Sequence, residues 1–327
     1  MKYNLRLTSY RKTILSMKSI NLYKRIQSKI NKDYKNLSLS FIEQKLKRNL
    51  GFKKILFEHD MLSATSTKNF LIKDPLLDWL KMYKLRLGNN NFGKDNFTTF
   101  IMDKGNQFES KIVSILKNKF SNDFIDIGTN YLTCKEQIKY NETLKAVNKK
   151  IPIIFGGVLC NSDNKTFGMP DIILRGDFFK KIFSETPLSI TDDNSTYYII
   201  DIKFTTLNLR ADGIHLLNEG LIPAYKSQVY IYTQALNKIQ KTKVSKAFIL
   251  GRKWKYSTKN VEYKGDSCFD KLGVVDFLGV DDCISTLTIQ ALKWLKDVKE
   301  NGKNWNPLDT KDNRLFPNMS NTYDYPF

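Results

Sequence analysis

A chain of 327 residues with 41% hydrophobic content can bury one large core or two modest ones, which excludes a disordered, collagen-like or disulfide-dense scaffold. Its 53 basic against 33 acidic side chains leave a net charge of +20 and a pI near 9.6, a balance that points to a polyanionic partner, nucleic acid ahead of an anionic membrane surface. Apolar runs such as 151–160 are short and contain Pro or Gly, well below the roughly 20 residues of a membrane span, so no membrane partner is expected.

The basic N-terminus (MKYNLRLTSYRKTIL) has no apolar stretch followed by small residues, so no secretory signal is expected. The protein is expected to stay intracellular, with cytoplasm, nucleus and viral factory or virion all open. Cys134, Cys160, Cys268 and Cys283 form no C-x-x-C pair and are expected to be reduced, mostly buried thiols. Abundant Asn, Lys and Ile reflect AT-rich coding DNA and lower the weight of any single lysine.

In chain order, residues 1–60 carry 15 Lys or Arg against Asp33, Glu43, Glu58 and Asp60. They are expected to form a basic arm of short helices within a basic, mainly helical N-terminal region, 1–96. After Asp74-Pro75, the stripe Leu76, Leu77, Leu80, Tyr83 and Leu85 predicts an amphipathic helix that ends in the Asn-rich stretch Gly88–Gly93. From 97 to 300 the pattern is mixed α/β. Phe108, Ile112, Ile115, Leu116 and Phe120 line one helical face, with Glu109 one residue off it. Strands are expected over Ile153–Cys160 and Asp171–Arg175, joined by a hairpin turn at 161–170, and a third over Tyr197–Phe204. Pro223 opens a helix to about Gln240, Val244–Gly251 is a strand, and Asp281–Glu300 is an amphipathic helix ending at Gly302. Residues 301–327 read as a loop segment packed by Trp305, Leu315 and Phe316. The fold class expected is α/β, a mixed central sheet flanked by helices.

The sharpest chemical feature is Tyr197-Tyr-Ile-Ile-Asp201-Ile-Lys203, where period two puts Asp201 and Lys203 on one face of a hydrophobic strand. An acid beside a lysine at the end of such a strand suits a metal ligand next to a cation near an attacking water. The triple alone is weak, because eight Asp/Glu-x-Lys triples occur in this Lys-rich chain. Context separates this one: Asp171, in Gly168-Met-Pro-Asp-Ile-Ile-Leu-Arg175, enters a second strand and can converge with Asp201 on one divalent ion. Gln228 and Tyr232 stand four apart on the predicted helix and so share a face.

These residues resemble the PD-(D/E)xK nuclease superfamily, in the branch shared by phage lambda exonuclease, YqaJ-type viral recombination nucleases and RecB-type nuclease domains. The matching elements are Gly105-Asn-Gln-Phe-Glu109, Pro170-Asp171, Asp201-Ile-Lys203 and Gln228-Val-Tyr-Ile-Tyr232, the last being the Q-x-x-x-Y motif of that branch. Asp74-Pro-Leu-Leu-Asp-Trp-Leu80 and Leu315-Phe-Pro-Asn-Met-Ser-Asn321 also resemble nuclease-like proteins of large DNA viruses. The resemblance implies Mg2+ (or Mn2+) held by Glu109, Asp171, Asp201 and the Ile202 carbonyl, with Lys203 acting on the attacking water and Gln228 and Tyr232 holding the carboxylates or the substrate backbone. The cysteine spacing differs from that of the iron–sulfur members, so no cluster is expected.

For substrate grip, Arg252-Lys253-Trp254-Lys-Tyr256 interleaves cations with rings, and Arg175, Arg210 and Lys226 are further candidates to line a DNA channel. His59 and His215 lack metal-ligand spacing. The function expected is a Mg2+-dependent DNA nuclease, exonuclease-like, in recombination, repair or replication. A structure-selective endonuclease, an RNA-cutting enzyme and a non-catalytic nuclease-fold DNA-binding or packaging protein stay open.

Overall fold

A strand buried on both faces has to lie in the middle of a sheet, and Tyr197 to Ile202 is buried at every position. That strand is the centre of the computed structural model, in which residues 61–84, 96–130, 132–189 and 192–306 are described. The basic arm 1–60 with His59, the stretch Gly88–Gly93, and Leu315 and Phe316 lie outside the described residues.

In chain order the elements are β1 (Leu62–Ser63), α1 (Lys68–Leu71), α2 (Leu76–Trp79), α3 (Asn96–Lys119), β2 (Phe124–Asp126), α4 (Gln137–Asn148), β3 (Ile153–Phe155), β4 (Leu159–Asn161), β5 (Thr166–Gly168), β6 (Ile172–Arg175), α5 (Phe179–Ile182), β7 (Tyr197–Asn208), α6 (Ile222–Gln240), β8 (Lys246–Thr258), β9 (Val261–Gly265), β10 (Gly273–Asp276) and α7 (Cys283–Asn301). The protein is mixed α/β. Its main sheet has the order β10-β8-β7-β6-β3-β2, with β9 added to β8 as a hairpin, and a smaller sheet has the order β1-β5-β4. β7 runs parallel to β8 and antiparallel to β6, so the sheet is mixed.

Alternation along β7 divides the core into two layers. Tyr198, Ile200 and Ile202 pack with Ile112 and Leu116 of α3 and with Phe179 and Phe183. Tyr197 and Ile199 pack on the other face with Val229, Tyr232 and Leu236 of α6 and Ile284 of α7. Asp201 and Lys203 continue the odd-numbered set and therefore face α6.

The expected strand Ile153–Cys160 is two strands in two sheets. Gly156, at φ +62°, breaks it, and a Cβ on Gly157 would sit 2.9 Å from Ile173 Cδ1. β3 pairs with β6, while β4 pairs with β5 across the turn at 162–165. The helix expected over Leu76–Leu85 is α only to Trp79 and continues as a π turn to Lys84. This segment docks through Trp79 Nε1, which donates to Gly302 O at 2.6 Å, and Tyr83 Oη, which donates to Val298 O at 2.8 Å. A buried hydroxyl relay, Thr288 to Ser227 (2.9 Å) and Ser227 to Thr67 (3.1 Å), ties α7 and α6 to the residues just before α1. Among the described residues no helix is long and apolar enough to cross a membrane. The cysteines are free thiols, three half-buried and Cys283 exposed, and so less buried than their type predicts.

Lys226 contradicts its expected place in a DNA channel. Both it and Asp281 are fully buried, joined at 2.6 Å, and Lys226 Nζ also donates to Leu216 O (2.9 Å) and Asn218 Oδ1 (2.7 Å). The ammonium is the bolt between α6, the 209–221 loop and the turn into α7, and it does not face solvent. Lys226→Met should therefore cost about 3–5 kcal/mol in urea unfolding, because Asp281 is left buried without its cation, and Lys226→Met with Asp281→Leu should recover part of that loss.

Candidate active site at the end of the central strands

Register brings the carboxylates together. Ile172 of β6 pairs with Ile200 of β7, so one step further Asp171 falls opposite Asp201. Asp171 Oδ2 accepts the Ile202 N–H at 2.5 Å, and its carbonyl accepts the Gly156 N–H at 3.0 Å. Asp201 is 1% exposed; its Oδ2 makes no aligned hydrogen bond and is ion-paired with Lys203 Nζ. Glu109 comes from α3, where Phe108 packs on Phe204 of β7 at 5.7 Å between ring centres. Gly105, one turn earlier, lies with its Cβ direction 4.0 Å from Phe204.

The electrostatics follow from this crowding. Burial pushes Asp171 well above the usual carboxylate range, and the Asp201 and Glu109 charges push it further against the pull of Lys203 and the Ile202 N–H. Burial and then the Asp201 charge raise Glu109 as well, again opposed by Lys203. Burial alone would lower Lys203, but Asp201 and Asp171 override it and hold the ammonium above the ordinary lysine range.

Helix α6 covers the cluster with three side chains. Tyr232 is 2% exposed and its ring belongs to the core, while its hydroxyl accepts from Gln228 Nε2 at 2.9 Å. Burial, then the Asp201 carboxylate, pushes the Tyr232 phenol far up, so the group stays protonated. Tyr225, three residues before Gln228, has its ring centre 5.0 Å from Lys203 Nζ. Its phenol too is raised, by burial and then by Asp201, against the pull of Lys203. Sequence reasoning missed Tyr225, though its i,i+3 and i,i+7 spacing to Gln228 and Tyr232 marks the same stripe. It also missed Gly168: a Cβ there would stand 2.2 Å from Tyr232 Cε1, so only glycine lets the ring lie against the strand that leads into Asp171.

Among the other expected binding residues, Arg252 is exposed with its guanidinium 4.8 Å from the Phe204 ring, the ring on which Phe108 packs. Lys253 pairs with Asp266 at 2.6 Å, and Trp254 is half-buried, its Nε1 donating to Asp270 at 3.2 Å. One expectation is corrected. Arg175 ends β6, opposite Tyr197 at the far end of the pairing from Asp171, and is held by Asp177 at 2.7 Å. Arg210 is half-buried, with long 3.5 Å contacts to the carbonyls of Leu216 and Val280, and its guanidinium caps a loop. His215 is bonded to Asp212 at 2.7 Å.

The donor set consists of hard carboxylate oxygens, the chemistry Mg2+ or Mn2+ takes. Among the described residues no three Asp, Glu, His or Cys side chains stand as a ready-made metal cage. Lys203 supplies the counter-charge in this arrangement. Compared with known proteins, the chain matches no family model and no curated relative.

Two outcomes follow. A carboxyl with a raised folded pKa binds more protons than it does in the unfolded chain between its ordinary value of about 4 and its folded value, so stability falls as pH rises through that interval and stays lower above it. In EDTA, Glu109→Gln should melt above wild type at pH 7–8 by on the order of 2 °C, with the gain vanishing near pH 4. Gly168→Ala should cost about 1–3 kcal/mol, and in a double-mutant cycle with Tyr232→Ala the two losses should fall short of additivity, as a direct clash requires.

Proposed function

We propose that the chain is a Mg2+-dependent DNA nuclease of the PD-(D/E)xK type, exonuclease-like, hydrolysing phosphodiester bonds in recombination, repair or replication. The observation that carries this reading is the electrostatic meeting of Glu109, Asp171, Asp201 and Lys203, drawn from one helix and two antiparallel strands, under a Gln228–Tyr232 pair on α6. Structural acids rarely gather in this way, since each raises the next one's pKa at a cost in stability.

Glu109, Asp171, Asp201 and the Ile202 carbonyl would hold Mg2+ or Mn2+, which when bound acidifies a water and screens phosphate charge. Lys203 is protonated, so it acts as a donor that orients the attacking water or the scissile phosphate and stabilises developing negative charge. Its place beside Asp201 gives it this position before substrate arrives. Gln228 is a positioning residue: its amide donates to the Tyr232 hydroxyl, which burial and the Asp201 and Asp171 charges keep protonated beside the site. Net charge supplies the long-range attraction for DNA.

The direct experiment incubates the protein with end-labelled linear, covalently closed circular and single-stranded DNA, with and without Mg2+. Loss of label from linear DNA only with Mg2+, and sparing of closed circles, is the expected pattern; no cleavage of any substrate would sink the reading. Lys203→Ala should abolish cutting while affinity for DNA in Ca2+ changes by less than about tenfold, since one cation among many phosphate contacts is lost.

A further inference from the structure

The β8–β9 hairpin carries a feature the proposed chemistry does not use. Beyond the site, β8 runs out beside β7 and folds back at Lys259 and Asn260, both at positive φ (50° and 62°), the backbone of a tight two-residue hairpin turn. One face is a ladder of rings. Trp254 stacks on Tyr256 (6.0 Å, 23° between planes) and Tyr256 on its cross-strand partner Tyr263 (4.9 Å, 10°). The inner end is closed off: Lys271 lies 5.1 Å over Trp254, and Gly265 and Gly213 leave room for Trp254 and Tyr256, which a Cβ at either position would strike. The outer end is open, with Tyr263 43% and Val261 49% exposed.

Charge selects the kind of partner. Residues 252–265 carry Arg252, Lys253, Lys255, Lys259 and Lys264 against the single acid Glu262. Lys255 and Lys264 face each other across the strands, a like-charge pairing that destabilises a hairpin on its own. Rigid stacked rings with an exposed end, flanked by cations, match the chemistry of unpaired bases on a phosphate backbone. Along its length duplex DNA offers no free base faces and would leave the ring stack unused.

Position connects the surface to the site. Gly251 pairs with Lys203, and Tyr256 lies five residues further along the same strand, about 17 Å away at strand rise. We propose that the β8–β9 hairpin binds single-stranded nucleic acid by continuing the Trp254–Tyr256–Tyr263 stack with an unpaired base on Tyr263. The hairpin then holds an unwound or frayed segment beside the carboxylates, so that the strand being cut is unpaired. This inference rests on the reading of the substrate as nucleic acid.

The test is anisotropy of fluorescein-labelled dT20, U20 and a 20-base-pair duplex with the full chain in EDTA, where no hydrolysis is needed. Tyr263→Ala should weaken binding of the unpaired oligonucleotides at least about fivefold and of the duplex less than twofold, and Tyr263→Phe, which keeps the ring, should stay within about twofold of wild type. A loss confined to dT20 or to U20 supports the proposal and names which of the two unpaired strands the hairpin takes. Wild-type affinity of Tyr263→Ala for both unpaired oligonucleotides, or an equal loss on the duplex, overturns it. If Tyr263→Ala melts well below wild type, photocrosslinking of wild-type protein to an oligonucleotide containing 4-thiothymidine decides: adducts at 252–265 support the proposal, and adducts only elsewhere overturn it. Failure of the nuclease reading looks different, as an absence of Mg2+-dependent cleavage with these affinities unchanged.

Discussion

Asp171 and Asp201 are directly opposite like charges on neighbouring antiparallel strands, and a fold that places them so must supply a counterweight. The counterweight is assembled from everything nearby: the Lys203 ammonium on the same face of β7, the Ile202 N–H aimed into Asp171, and a helix that turns phenols and an amide, never another acid, toward the pair. The hydrophobic layers on both faces of β7 fix the register, since a slip by one residue would exchange the Tyr197–Ile199 and Tyr198–Ile200–Ile202 sets between two differently packed layers and carry Asp201 to the α3 side.

The same logic explains why the second buried ion pair is kept apart from the first. Lys226 is the residue after Tyr225 on α6, yet its side chain goes to Asp281 and two neutral acceptors, with no share in the site. One turn of helix thus presents a phenol to one charge cluster and an ammonium to another. Between Lys203 and Thr206 the β7–β8 ladder shifts register, and Gly251 is the residue that permits it, because a Cβ there would meet Leu207 Cγ at 2.5 Å. The bulge lies just past the site, where local twist sets the course of the hairpin beyond it.

Much of the fold was legible in the sequence because its elements have single, strong periodicities. The helix over Ile222–Gln240 was marked by Pro at its start, and β7 by an unbroken apolar run. Spacing alone places Asp201 with Lys203 on one face of β7 and Gln228 with Tyr232 on one face of α6, since strand and helix periods fix which side chains share a face. The remainder depended on long-range packing. The division of 153–161 between two sheets turns on a pair of glycines whose need appears only when Ile173 and Thr143 are in place. Lysine as a type gave no hint that Lys226 would be buried, and Arg175 is adjacent to the site in sequence but at the other end of its strand in space.

The parallel pairing of β7 with β8 has a consequence for how the protein comes to exist. Ile200 pairs with Phe248 roughly fifty residues downstream, through the whole of α6, and non-local closures of this kind are slow to form. During synthesis the acidic strands therefore leave the ribosome well before the strand that flanks them, and β7, apolar on both faces, waits with one edge unpaired. Such an edge is a template for association with another chain. The interval between Asp201 and Thr258 is thus the vulnerable period in the life of the molecule, and it ends when the tip of the hairpin has been made.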